Sequence, residues 1–163
     1  MKTLHWKKGA FKSTYKIYSN DTLVGTLKEN VWKQSADGEL TGKKYNFKTK
    51  GFFKQETEIV HADTNTALGK ITYNSWMTKA TIELSDRKIF WKYDNVWNTK
   101  WSLFDSEGIQ IQYQGSSFNG KIEFNSQDDL LVLTGLFITN YYWQIAIAVF
   151  VAVFIPVWTS ALH

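Results

Sequence analysis

The 163-residue sequence predicts a closed antiparallel β-barrel of about 12 short strands, built from a duplicated unit and followed by one long apolar C-terminal helix. Three observations carry this. Apolar and polar residues alternate with a period of two through the first part of the chain, as half-buried strands require. A block of sequence recurs at a fixed offset of 44 residues. All 34 acidic and basic side chains fall at or before Asp129, which leaves the last 34 residues without Lys, Arg, Asp or Glu. A barrel body over 1–127 and a helix over 128–163 follow from that boundary.

An N-terminal strand carries His5, and the next apolar pair, Tyr15 and Ile17, marks a second. Farther on, Ala80, Ile82 and Leu84, then Ile109, Ile111 and Tyr113, then Ile122 and Phe124 keep the same period. Turn residues separate the strands: Ser19-Asn20-Asp21, Thr41-Gly42, Asp63-Thr64-Asn65, Ser85-Asp86 and Ser106-Glu107-Gly108. No helical pattern interrupts the body, so the connections are hairpins and the sheet is a meander. Closing it removes the strand edges that such a meander otherwise exposes.

The 44-residue shift maps Gly25 to Gly69, Leu27 to Ile71, Asn30 to Asn74, Trp32 to Trp76 and Ala36 to Ala80. It continues without a gap from Leu40 to Leu84, from Lys43-Lys44 to Arg87-Lys88, from Phe47 to Trp91 and from Lys48 to Lys92. A third, divergent copy starts near Trp101.

In the tail, Ser126 is placed to cap a helix whose first turn carries Asp128 and Asp129 at the positive end of the helix dipole. Pro156, the only proline, is expected to break or kink that helix near its end. Leu130 to Trp158 spans about 43 Å as a helix, more than the roughly 30 Å of a bilayer core. The first half includes Thr134, Thr139, Asn140 and Gln144, which need hydrogen-bond partners; the second, through Ile145, Phe150 and Phe154, has no polar side chain before Trp158. Tyr141, Tyr142 and Trp143 stand at one end and Trp158 at the other, about 27 Å apart, the spacing of an aromatic-belted membrane span. A core helix filling the barrel is the competing reading.

Composition narrows the chemistry. Without Cys there is no disulfide, thiolate nucleophile or Cys-based metal site, and a cytoplasmic setting is permitted. The basic N-terminus has no apolar stretch of the kind a secretory signal needs. His5, His61 and His163 lack metal-ligand spacing, and no nucleophile elbow, P-loop or dinucleotide fingerprint occurs, so neither a metal, a cofactor, a small-molecule substrate nor an enzyme is expected. A net charge of +4 favours anionic partners only weakly. Lys43, Lys44, Arg87 and Lys88 form two equivalent basic turns, candidates for anionic headgroups or, in a soluble barrel, for a protein or a nucleic acid. Lysines guarding a strand edge are the plainer account. The eight tryptophans, with Trp32 and Trp76 at equivalent repeat positions, read as packing residues.

The unit Gly69-Lys70-Ile71-x-x-Asn74-x-Trp76, the stretch GKKYNFKTKGFFKQE over 42–56 and the DDLLVLTGLF start of the tail resemble the tubby C-terminal-like superfamily, which includes LURP-one-related proteins and phospholipid scramblases. The resemblance implies a twelve-stranded barrel around a terminal helix, a helix that in scramblases has also been read as membrane-spanning. It also implies association with anionic phospholipid, and more remotely lipid scrambling. No stretch aligns with the lipid-contacting residues of tubby-like members. The expectation is therefore a non-enzymatic barrel, cytoplasmic in its body, whose tail fills the barrel and then contacts membrane.

Overall fold

The computed structural model describes residues 1–10, 12–51 and 54–162, so Phe52 and Phe53 of the lysine-aromatic stretch, and His163, lie outside the described residues. Twelve strands follow one another: β1 (Lys2–Lys8), β2 (Thr14–Ser19), β3 (Thr22–Asn30), β4 (Ser35–Leu40), β5 (Lys43–Lys50), β6 (Glu56–His61), β7 (Thr66–Tyr73), β8 (Lys79–Leu84), β9 (Lys88–Tyr93), β10 (Lys100–Phe104), β11 (Gln110–Gly115) and β12 (Asn119–Phe124). A single 3₁₀ turn, Val31–Lys33, joins β3 to β4, and α1 (Asp129–Ala161) ends the chain. Each strand pairs antiparallel with its neighbours in sequence, and β1 pairs with β12, from Lys2 opposite Phe124 to Lys7 opposite Asn119, which closes the barrel. The predicted fold class is the observed one.

Period-two alternation sets which side chains fill the barrel. Leu4 and Trp6 of β1, Tyr15 and Ile17 of β2, Ala80 and Ile82 of β8, Ile111 and Tyr113 of β11, and Ile122 and Phe124 of β12 are all buried. Asn20, Thr41, Gly42, Asn65 and Gly108 take positive φ at the expected turns. The β3–β4 and β7–β8 hairpins have matching registers, Gly25 opposite Leu40 and Gly69 opposite Leu84, each beside a bulge in the preceding strand pair. A Cβ at Gly25 would collide with the Glu39 carbonyl, and one at Gly69 with that of Glu83. At both places the bulge brings the neighbouring backbone too close for a side chain.

Up-and-down topology gives the barrel two distinct ends. The β2–β3, β4–β5, β6–β7, β8–β9 and β10–β11 turns surround the start of α1, which follows β12 directly. The β1–β2, β3–β4, β5–β6, β7–β8, β9–β10 and β11–β12 loops form the opposite rim, through which α1 leaves. Inside, α1 buries every residue from Leu130 to Asn140, and Tyr142. Ala36 and Gly38 on β4 leave it room; even a Cβ at Gly38 would lie 3.2 Å from Leu133 Cδ1. Phe137 stacks on Phe47 with ring centroids 4.6 Å apart, Trp91 Nε1 donates to the Gly135 carbonyl at 3.2 Å, and Tyr113 OH reaches the Leu131 and Val132 carbonyls. Thr134 and Thr139, polar on a buried helix, donate to the carbonyls of Leu130 and Gly135 one turn back.

Two helix expectations need correction. The N-cap is Asp128, two residues past Ser126: the Asp128 carboxylate accepts from the Leu131 amide, while the Ser126 hydroxyl accepts from the Asp128 amide. A carboxylate caps better here because it also neutralises Arg87. Nor does Pro156 end the helix, which continues to Ala161. A proline removes one backbone donor but leaves φ near helical values, so its surroundings decide whether the helix stops. Asp128→Ala is expected to cost about 1 kcal/mol of stability and Asp128→Asn clearly less, as read from denaturant midpoints.

Candidate functional site

The helix-exit rim is where the chain's polar and apolar features converge. Tyr141 stacks on Tyr73 at 4.1 Å and donates to the Gln55 side-chain oxygen. Tyr142 donates to the Lys79 carbonyl, and Trp143 meets Trp101 edge-on at 5.6 Å. These three aromatics, expected to flank a membrane span or to belong to a barrel-core helix, pack as a collar around the helix at the barrel mouth. Beyond them Ile145 is half-buried, and all residues from Ala146 to Leu162 are exposed. Phe150 and Phe154 stack on each other at 4.2 Å, and Trp158 is 70% exposed.

A polar cluster lies beneath the collar. Asn140 Oδ1 accepts from Tyr15 OH at 2.6 Å and from Lys8 Nζ at 3.2 Å. The ammonium stands 4.6 Å over the Tyr15 ring and 3.9 Å from Glu29 Oε2, which also accepts from Gln144 Nε2. Glu29 is buried, and its second oxygen has no partner among the described residues. Burial lifts its carboxyl above the ordinary carboxylate range, outweighing the lowering by Lys8 and by the Gln144 hydrogen bond. Above it opens a cleft of about 430 Å³ between the rim and the emerging helix, lined by Glu29, Gln34, Thr49, Tyr141, Gln144 and Ile147.

A raised acid pKa in the folded state means that the native protein holds its proton where the unfolded chain has lost it. Glu29 therefore lowers stability as pH rises from about 4.5 through its folded pKa. Glu29→Gln is expected to flatten that part of the melting-temperature profile; a slope identical to that of the unsubstituted protein would show that another group sets it.

The structure sets two of the four basic-turn residues against carboxylates at the helix start. Arg87 pairs with Asp128, and Lys43 Nζ lies 3.6 Å from Asp129, which also accepts from the Thr41 hydroxyl. Lys44 and Lys88 are exposed, Lys88 lying 6.0 Å from the Phe90 ring. All four stand at the end where the helix starts, about 20 Å along α1 from the collar at 1.5 Å per residue. Closure also leaves no strand edge for lysines to guard. Sequence shows the positive charge of these turns but not the carboxylates, more than 40 positions away, that two of them meet.

The packing expectation for tryptophan also needs correction. Trp6, Trp91 and Trp101 are buried as expected, but Trp32, Trp76 and Trp97 are 99%, 84% and 80% exposed. They lie in rim loops, where in-and-out alternation no longer applies, so equal repeat positions mean equal exposure and not equal burial. The missed signal is Asn-x-Trp, present at Asn30-Val31-Trp32, Asn74-Ser75-Trp76 and Asn95-Val96-Trp97. An asparagine there marks a turn, and with it an outward-facing loop.

No family model, curated protein or solved structure matches this chain.

Proposed function

We propose that this protein is a non-enzymatic, lipid-associated β-barrel anchored in a membrane by the outer half of α1, while the inner half of the same helix plugs the barrel. The observation that carries this reading is the exposed stretch Ala146–Leu162, apolar around its whole circumference and free of charged residues. Ten large apolar side chains of that stretch stand in the open. At roughly 1.5–3 kcal/mol each, leaving them in water forfeits more free energy than the roughly 5–15 kcal/mol by which a domain is usually stable. A partner helix would cover one stripe, whereas a helix apolar all round calls for an apolar solvent on every side. Its 17 residues extend about 25 Å, suited to a bilayer core with little tilt.

The 44-residue repeat fits this reading as the origin of the β3–β4 and β7–β8 hairpins, whose registers and glycines match. Twelve strands around a helix accord with the tubby-like resemblance, and with it a role in holding anionic phospholipid or a protein at the membrane. The amphipathic cleft beside the exit helix has the size of a small-ligand site and opens where a lipid would lie. Lys43 and Arg87 then serve chiefly to fix the start of the helix, which disfavours the nucleic-acid alternative. In vesicles, Phe150→Lys is expected to weaken membrane retention by about 2.5–3.5 kcal/mol, read as loss of protein from floated vesicles. Unchanged flotation would count against a bilayer span.

A further inference from the structure

We infer that the helix-exit rim is a built seat for an anionic membrane leaflet, in which Trp32, Trp76 and Trp97 enter the interface and Lys12, Lys33 and Lys54 of the same rim meet lipid phosphates. The inference rests on the anchor reading and adds to it a surface, an orientation and a lipid charge. Four separate loops of that one rim expose a large aromatic, Phe118 of the β11–β12 loop being the fourth. Two of them are built alike. The Asn74 side chain accepts from the Thr78 and Lys79 amides at 2.9 and 3.0 Å and donates to the Thr78 hydroxyl. Asn95 does the same with Thr99 and Lys100 at 3.0 and 3.1 Å, and Met77 and Asn98, each next to its tryptophan, share a φ of 55°. Asn30 bonds the Lys33 amide beneath Trp32. These tryptophans are therefore held outward by a fixed loop and are not side chains left over at the end of a strand.

Position and charge say what covers them. The rim surrounds the point where the apolar helix leaves the barrel, so a bilayer crossed by that helix lies directly against these loops. Indole rings favour that depth, apolar on one side and wet on the other. With Tyr141, Tyr142 and Trp143 taken up by the barrel mouth, the rim tryptophans supply the aromatic belt at this end, and Trp158 lies toward the other. The rim loops carry Lys12, Lys33 and Lys54, all exposed, against Asp94 alone. The far end carries Asp21, Asp63, Asp86, Asp105, Glu107, Asp128 and Asp129 against Arg87 and the strand-start residues Lys43, Lys44 and Lys88, so its turns are acidic on balance. Such a distribution turns the rim toward negative headgroups and the opposite end away from them, and lysines next to a span favour the cytoplasmic side.

The absence of cysteine allows a direct test on the full chain. Single-cysteine variants Trp32→Cys, Trp76→Cys, Trp97→Cys, Asp63→Cys and Ala152→Cys are spin-labelled in vesicles of phosphatidylcholine and phosphatidylserine, and accessibility to oxygen is compared with accessibility to a water-soluble nickel complex. Labels at 32, 76 and 97 are expected to favour oxygen, as the label at 152 does, while the label at 63 favours nickel. Oxygen preference at 152 with nickel preference at 32, 76 and 97 overturns the seat and leaves the anchor standing. Nickel preference at 152 as well overturns both.

Discussion

Deleting Ile145–His163 is expected to move the protein from the membrane fraction to the soluble fraction without unfolding the barrel. The cut falls just beyond the collar, so every residue that α1 buries in the barrel, from Leu130 to Tyr142, is retained, as are the Tyr142–Lys79, Trp143–Trp101 and Gln144–Glu29 contacts. Among the described residues, what is removed makes no side-chain hydrogen bond to the barrel and has its large apolar groups in the open. Near-ultraviolet dichroism of the buried Trp6, Trp91 and Trp101 should remain native-like while sedimentation with membranes is lost. A truncated protein that stays membrane-bound would move the attachment from the helix to the barrel surface, and the rim would then be the first place to look.

Gly135→Val is expected to destabilise the barrel strongly. Gly135 faces Tyr113 so closely that even a methyl group would overlap the phenol ring, and Tyr113 is itself fixed by bonds to the Leu131 and Val132 carbonyls and by stacking 5.5 Å from Trp101. Neither partner can move without breaking a buried contact, so overpacking should cost about 3 kcal/mol, at the upper end of the usual range. The double variant Gly135→Val, Tyr113→Leu should recover part of the loss, because the two residues share one space. Additive losses in chemical denaturation would show that the strain lies elsewhere. For comparison, Phe137→Ala, which empties the position stacked on Phe47, should cost about 3–5 kcal/mol.

Much of the barrel was legible because alternation is a local signal. Tyr15 and Ile17, or Ile122 and Phe124, announce their strands in a few residues, and the turn residues between strands are as explicit. The two-part helix was legible from its polar residues: Thr134, Thr139 and Asn140 mark the buried half, and the run after Ile145 marks the exposed one. What escaped was everything that depends on partners distant in sequence. Arg87 and Lys43 look like free cations until the fold brings Asp128 and Asp129 to them. Tyr141, Tyr142 and Trp143 look like a membrane belt until the barrel mouth closes on them. Trp32 and Trp76 were misplaced for a different reason: a repeat says that two residues share an environment without saying which, and only their place between strands decides. Pro156 shows the limit of local rules, since the helix passes through it in a segment whose surroundings, more than its own propensity, set its structure.

The central claim is that one helix serves two solvents, protein up to the collar and lipid beyond it. Fractionation of the untagged full-length protein, expressed without detergent and washed with high salt and then with carbonate, tests this most directly. The account predicts that the protein stays in the membrane pellet through both washes. Release by either wash, as a soluble monomer, would contradict it.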